Sequence, residues 1–116
     1  MDSILTSIKK MLGITEEYEH FDADIIMHIN TVFMTLKQIG VGPAEGFYIE
    51  DKSTNWDEFV LDPTQYQAIK SYMYLKVRLL FDPPQSPAHL ESMKNQAAEY
   101  EWRLNFDAEN STATTS

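Results

Sequence analysis

At 116 residues and 13.4 kDa the chain has room for one domain, and its 18 acids against 9 Lys plus Arg set a formal net charge of −9. That excess excludes a general grip on nucleic acid, which depends on Lys and Arg neutralising phosphates, and disfavours an anionic membrane surface. The absence of cysteine removes disulfides, thiolate metal sites, iron–sulfur clusters and Cys nucleophiles together.

With 43% hydrophobic residues the chain is too apolar to be wholly disordered. No apolar run approaches the ~20 residues of a membrane span. The opening Met-Asp-Ser-Ile-Leu lacks the basic and apolar regions of a signal peptide, so a soluble intracellular protein is expected, or one released by lysis.

In chain order, Asp2 and Ser3 are N-cap residue types, and Ile4, Leu5, Ile8, Met11 and Leu12 follow at helical spacing up to Gly13. Lys9 and Lys10 fall in the last turn, where the helix dipole favours cations. The acidic stretch from Thr15 to Phe21 reads as irregular. A second helix starts near Asp22 or Asp24 and runs to Ile39, with Ile25, Ile29, Val32, Leu36 and Ile39 as its stripe. Gly40 supplies its stop.

Residues 41–62 form one long loop. Gly42, Pro43 and Gly46 break regular structure, Phe47-Tyr48-Ile49 fits a short extended segment, and Trp56 to Leu61 suggest a helical turn. A loop of this length is usually functional or packed by its own side chains. Asp62-Pro63 then pairs an N-cap carboxylate with proline at the first helical position. The helix it starts carries Tyr66, Ile69, Met73, Val77 and Leu80 and ends at Pro83-Pro84. Ser86-Pro87 repeats the start signal for a last helix to about Phe106. The expectation is a mainly α fold: a small bundle of four to five helices with one long loop, a single domain over 1–106, and a disordered tail over 107–116.

The charge is uneven. Residues 41–62 hold six acids against Lys52 alone, whereas 63–82 are net basic through Lys70, Lys76 and Arg78.

The search for chemistry returns little. Asp24 and His28 stand four apart on a predicted helix, with His20 and Asp22 upstream, which is compatible with a metal site. A capping Asp and a half-exposed His account for the same residues, and nothing supplies an obvious further ligand. Asp51-x-Ser53-x-Asn55 opens like an EF-hand loop but has Trp56 where that loop needs Gly. No phosphate loop, nucleophile elbow or zinc-protease motif is present. The expectation is a protein that is not an enzyme and takes no cofactor or metal.

The aromatic residues leave two readings open. Tyr72, Tyr74, Phe81, Tyr100, Trp102 and Phe106 lie on the last two helices and do not fit one narrow stripe. Either a hairpin around Pro83-Pro84 buries most of them, or the surplus packs against neighbouring subunits, as buried aromatics often do at interfaces. The candidate interface residues are Phe47, Tyr48, Ile49, Trp56, Lys70, Lys76, Arg78 and Trp102.

The run Tyr74-Leu75-Lys76-Val77-Arg78-Leu79-Leu80-Phe81-Asp82-Pro83-Pro84, with the later Glu101-Trp102-Arg103-Leu104-Asn105, resembles the small head–tail connector, or adaptor, proteins of tailed phages. Asp24 to Asn30 and Gly40-Val41-Gly42-Pro43 leading into Phe47 to Asp51 are similar too, closest to versions from phages and prophages of Gram-positive bacteria. The likeness covers about residues 2–106 in family order and rests on the collinear set, since no single stretch has a chemical signature.

The resemblance implies a helical virion protein, without enzymatic activity or cofactor, assembled in the host cytoplasm. It implies a ring of about a dozen copies beneath the portal protein, offering a platform to a head-closure (stopper) or tail protein, while DNA passes through unbound. An acidic ring suits such a conduit, because each Lys or Arg contact to phosphate adds affinity. Carboxylates of loop 41–62 or of the last helix are expected to face the channel. Lys70, Lys76 and Arg78 meeting a neighbour's acidic loop is one way to close the ring; for Arg78 an internal pair with Asp82 is the alternative. A different class also fits charge and size: a small acidic DNA mimic that inhibits a DNA-binding enzyme. Against it, 23% charged residues is ordinary, near the ~25% of average proteins.

Overall fold

The computed structural model describes residues 2–115, with side chains as far as Asn110. Four helices form, three of them at the capping signals of Ser3, Asp62-Pro63 and Ser86-Pro87. Helix α1 spans Ile4–Met11, and Ser3 Oγ accepts from Thr6 N at 3.2 Å at its start. Helix α2 spans Asp22–Gln38, with Asp22 and Asp24 in the first turn, where the dipole favours acids.

Helix α3 spans Tyr66–Phe81 and is entered through a 3-10 turn at Pro63–Gln65. Asp62 Oδ1 accepts from Thr64 N at 3.0 Å and from Thr64 Oγ1 at 2.8 Å. These bonds, the hydroxyl's foremost, hold the Asp62 carboxyl below the usual aspartate range. At the other end Arg78 Nε donates to Asp82 O at 3.0 Å, while Asp82 N donates to Arg78 O at 2.8 Å. These bonds occupy the carbonyls of Arg78 and Asp82 before Pro83 removes a donor.

Helix α4 spans Pro87–Thr115. Its backbone continues through residues 107–110, where the expected tail was to begin, and Ala108 packs against the core. The remainder of that expected tail, 111–116, lies outside the residues whose side chains are described.

Helix α3 is central: it packs against both α2 and α4, while α1 touches both α2 and α3. The core joins Ile4, Ile8, Ile25, Ile29, Phe33, Leu36, Ile69, Tyr72, Met73, Val77 and Leu104 with loop residues Ile49, Trp56, Phe59 and Val60. A smaller cluster of Leu75, Met93 and Ala97 glues α3 to the start of α4.

The long loop is packed by its own side chains. Phe47 and Phe59 sit 5.1 Å apart, and both lie against Phe33 at 5.0 and 4.7 Å. No β-strand occurs among the described residues; the expected extended segment at Phe47–Ile49 is instead held by a side chain. Asn30 Nδ2 donates to Ile49 O at 2.9 Å and Asn30 Oδ1 accepts from Ile49 N at 2.8 Å, so one amide satisfies both backbone groups as a strand partner would. Further on, a 3-10 turn at Trp56–Glu58 opens beside α1. Ile4 N donates to Thr54 O and Trp56 N to Asp2 O, each at 3.0 Å, and Ser3 and Asn55 form an isolated bridge.

Candidate assembly surface

Two of the expected interface residues belong to the core. Trp56 has no exposed surface, and its Nε1 donates to Ser7 Oγ at 2.7 Å. Ile49 is 2% exposed and clamped by Asn30. Neither has a side chain to offer a neighbour, because the loop folds inward over α1 and α2. Phe47 is half-buried against Phe33.

Tyr48 and Trp102, in contrast, are both 66% exposed. Trp102 stacks on Phe106, one turn along α4, with ring centroids 5.3 Å apart and planes 16° from parallel. The buried stripe of α4 is Met93, Ala97 and Leu104. At 3.6 residues per turn, Trp102 and Phe106 project from the opposite side of the helix. Both rings keep about half or more of their surface open to solvent.

Lys70, Lys76 and Arg78 do not form one basic face. Lys70 and Arg78 stand about two turns apart, with Tyr74 between them, whereas Lys76 is offset by about one and two-thirds turns from Lys70. Lys70 Nζ lies 5.4 Å from the centroid of the Tyr66 ring. Arg78 is engaged within its own helix, with Nη1 donating to Tyr74 Oη at 3.1 Å. The expected partner Asp82 contributes its carbonyl rather than its carboxylate.

Sequence reasoning missed several exposed apolar residues. Met27 and Met34, seven apart on α2, are 58% and 64% exposed, and Leu61 is 90% exposed. A helix-spaced apolar residue reads as core, so only the width of the apolar stripe hinted at them. Met34 and Tyr48 border a groove of about 400 Å³ between α2 and residues 45–48, together with Phe33, Phe47 and Lys37. Leu61 borders another, of about 290 Å³, rimmed by Glu58 and Asp62.

The loop's acids Glu45, Glu50, Asp51, Asp57, Glu58 and Asp62 all face solvent. Asp51 is held below the usual range by the hydroxyl and backbone N–H of Ser53. Among the described residues no three His, Asp or Glu side chains gather as a metal site. His28 instead faces the Phe81 ring and His20 the Phe21 ring, while Asp22 pairs with Lys9 at 2.8 Å.

A compact helical fold thus carries apolar side chains outward on both α2 and α4. Against known proteins, a family model described as phage connector protein matches residues 4–111, from the first residue of α1 into the last turns of α4. The chain belongs to the phage connector protein family. Neither a curated protein nor a solved structure matches it. No helix of this connector, among the described residues, is long and apolar enough to cross a membrane.

Proposed function

We propose that this connector is a structural virion protein that assembles as a ring of about a dozen copies beneath the portal and links the filled head to a head-closure or tail protein. It performs no catalysis and takes no cofactor. Membership of the phage connector family across residues 4–111 is the observation that carries this reading. Outward-facing Met34, Tyr48, Trp102 and Phe106 support it, since exposed aromatic and Met side chains on a small domain suit subunit contacts.

DNA passes through the ring without being held. Solvent-facing carboxylates of loop 41–62 or of the last helix are the residues assigned to the channel in this reading, where they repel the duplex rather than bind it.

Light scattering and electron microscopy of the purified connector, with and without portal protein, test the proposal. A closed ring, alone or on the portal, is expected. A stable monomer indifferent to portal overturns it, and tight binding to a basic DNA-processing enzyme instead favours the inhibitor reading.

A further inference from the structure

The groove beside Leu61 has a charge of one sign. Its floor is apolar, built of the buried side chains of Val41, Phe59, Val60 and Ile69, and its rim carries Glu58 and Asp62. Among the described residues no base lines it. Lys70, next to Ile69 in sequence, borders the cavity beside α1 instead and lies over the Tyr66 ring. The groove beside Met34 holds both Lys37 and Glu45, so its charge selects no partner.

Floor and rim are held by the fold itself. Val60 N donates to Trp56 O at 2.7 Å, and the Phe59 ring packs on Phe33 and Phe47. Glu58 Oε2 accepts from Asn55 N at 2.8 Å and Asp62 Oδ1 accepts from Thr64 N at 3.0 Å. The second oxygen of each carboxylate has no partner among the described residues, and Leu61, between them in sequence, is 90% exposed.

At about 290 Å³ the groove has room for a bulky apolar side chain. Charge complementarity sets what flanks that side chain: Lys or Arg, opposite the two carboxylates. DNA is repelled by them. A second copy fits less well, because it brings the same excess of acid and its Lys70, Lys76 and Arg78 do not share a face.

We infer that the Leu61 groove is the docking site of a different protein, one that inserts a bulky apolar side chain flanked by Lys or Arg against Glu58 and Asp62. The inference rests on the connector reading, which supplies portal and head-closure proteins as probes. It also takes Glu58 and Asp62 out of the carboxylates available to a DNA channel.

Affinities of the full chain for purified portal protein and for purified head-closure protein test it. Leu61→Ser changes an exposed residue, while Glu58→Gln and Asp62→Asn keep acceptors for Asn55 N and Thr64 N, so wild-type thermal transitions are expected. Leu61→Ser, and separately the Glu58→Gln, Asp62→Asn pair, should each weaken binding to one of the two proteins at least about tenfold. The charge pair should also flatten the salt dependence of that binding. Unchanged affinity for both proteins overturns the inference, as does loss of self-assembly by the chain alone, which would make the groove a contact between copies. In those cases the connector reading survives; a wild-type chain that binds neither protein removes both.

The chain has no cysteine, so Gln65→Cys, which also borders the groove, can carry a single photo-cross-linker. Mass spectrometry should place its cross-link to the bound protein in a segment with Lys or Arg within one helical turn of a bulky apolar side chain. A cross-link to an acidic segment or to another connector, or none at saturation, overturns the inference.

Discussion

Trp56 Nε1 donates to Ser7 Oγ across 49 positions of sequence, and Ser7 Oγ donates in turn to Ile4 O at 3.0 Å. The relay gives the buried indole N–H a partner and ties the loop to α1. Ser7→Ala leaves that N–H unsatisfied at a buried position and is expected to cost about 1–3 kcal/mol. Urea denaturation followed by Trp56 emission, in a Trp102→Phe background, measures it. A cost indistinguishable from zero would mean that the bond contributes nothing net.

The Lys9–Asp22 pair predicts an asymmetry. Lys9 Nζ is 2.8 Å from Asp22 Oδ1 and donates to Glu16 O at 3.0 Å, and the lysine side chain is 3% exposed. Asp22→Ala strands a buried ammonium and is expected to cost about 3–5 kcal/mol, whereas Lys9→Met keeps the stem's packing and costs less. Denaturant midpoints of both variants and of the double variant decide this. Adding Lys9→Met to Asp22→Ala should recover stability; failure to recover would show that the ammonium was not the source of the loss.

Tyr72 contributes to stability at alkaline pH. Burial first, then its 2.7 Å hydrogen bond to Glu101 and that carboxylate's charge, push the phenol well above its usual range. The folded state therefore holds this proton more tightly than the unfolded state. Its contribution is complete below the unfolded value of about 10 and is lost as pH rises above it. Thermal melts between about pH 9 and 11 should show falling stability, and Tyr72→Phe should flatten part of that fall. An identical slope in the variant would assign the fall to other groups.

Two glycines separate strain from space. Gly42 has φ of 95° and an added Cβ would lie 2.5 Å from Phe59 Cε1, whereas Gly13 has φ of 83° with open space around it. Gly13→Ala is expected to cost about 1–2 kcal/mol, the backbone penalty alone. Gly42→Ala adds displacement of the Phe59 ring from its packing with Phe33 and Phe47, so its denaturant midpoint should fall further. Equal midpoints would mean the ring moves freely.

The helices were legible because their ends carry local chemistry. Ser3, Asp62-Pro63 and Ser86-Pro87 each mark a start within four residues of sequence, and the observed helices begin there. What the loop does was not legible. Asn30 looks like a solvated residue on α2, and nothing nearby in sequence indicates that its amide clasps Ile49. Lys9 likewise fits the helix dipole, and its burial depends on Asp22 arriving from another helix. The same limit sorted the candidate surface: Trp56 and Trp102 are alike as residues, but the first meets Ser7 across the fold and the second stacks on its own helix neighbour, Phe106.

The contacts of residues 2–4 with residues 54–56 set an order of events during synthesis. Ile4, Leu5 and Ile8 emerge from the ribosome well before Trp56, which buries them together with α2 and the later α3. Until the Trp56 turn arrives, the first helix has only α2 to cover its apolar face. Nascent chains that stop short of Trp56 should accordingly be the ones that bind holdase chaperones, and release should coincide with the emergence of the Trp56 turn.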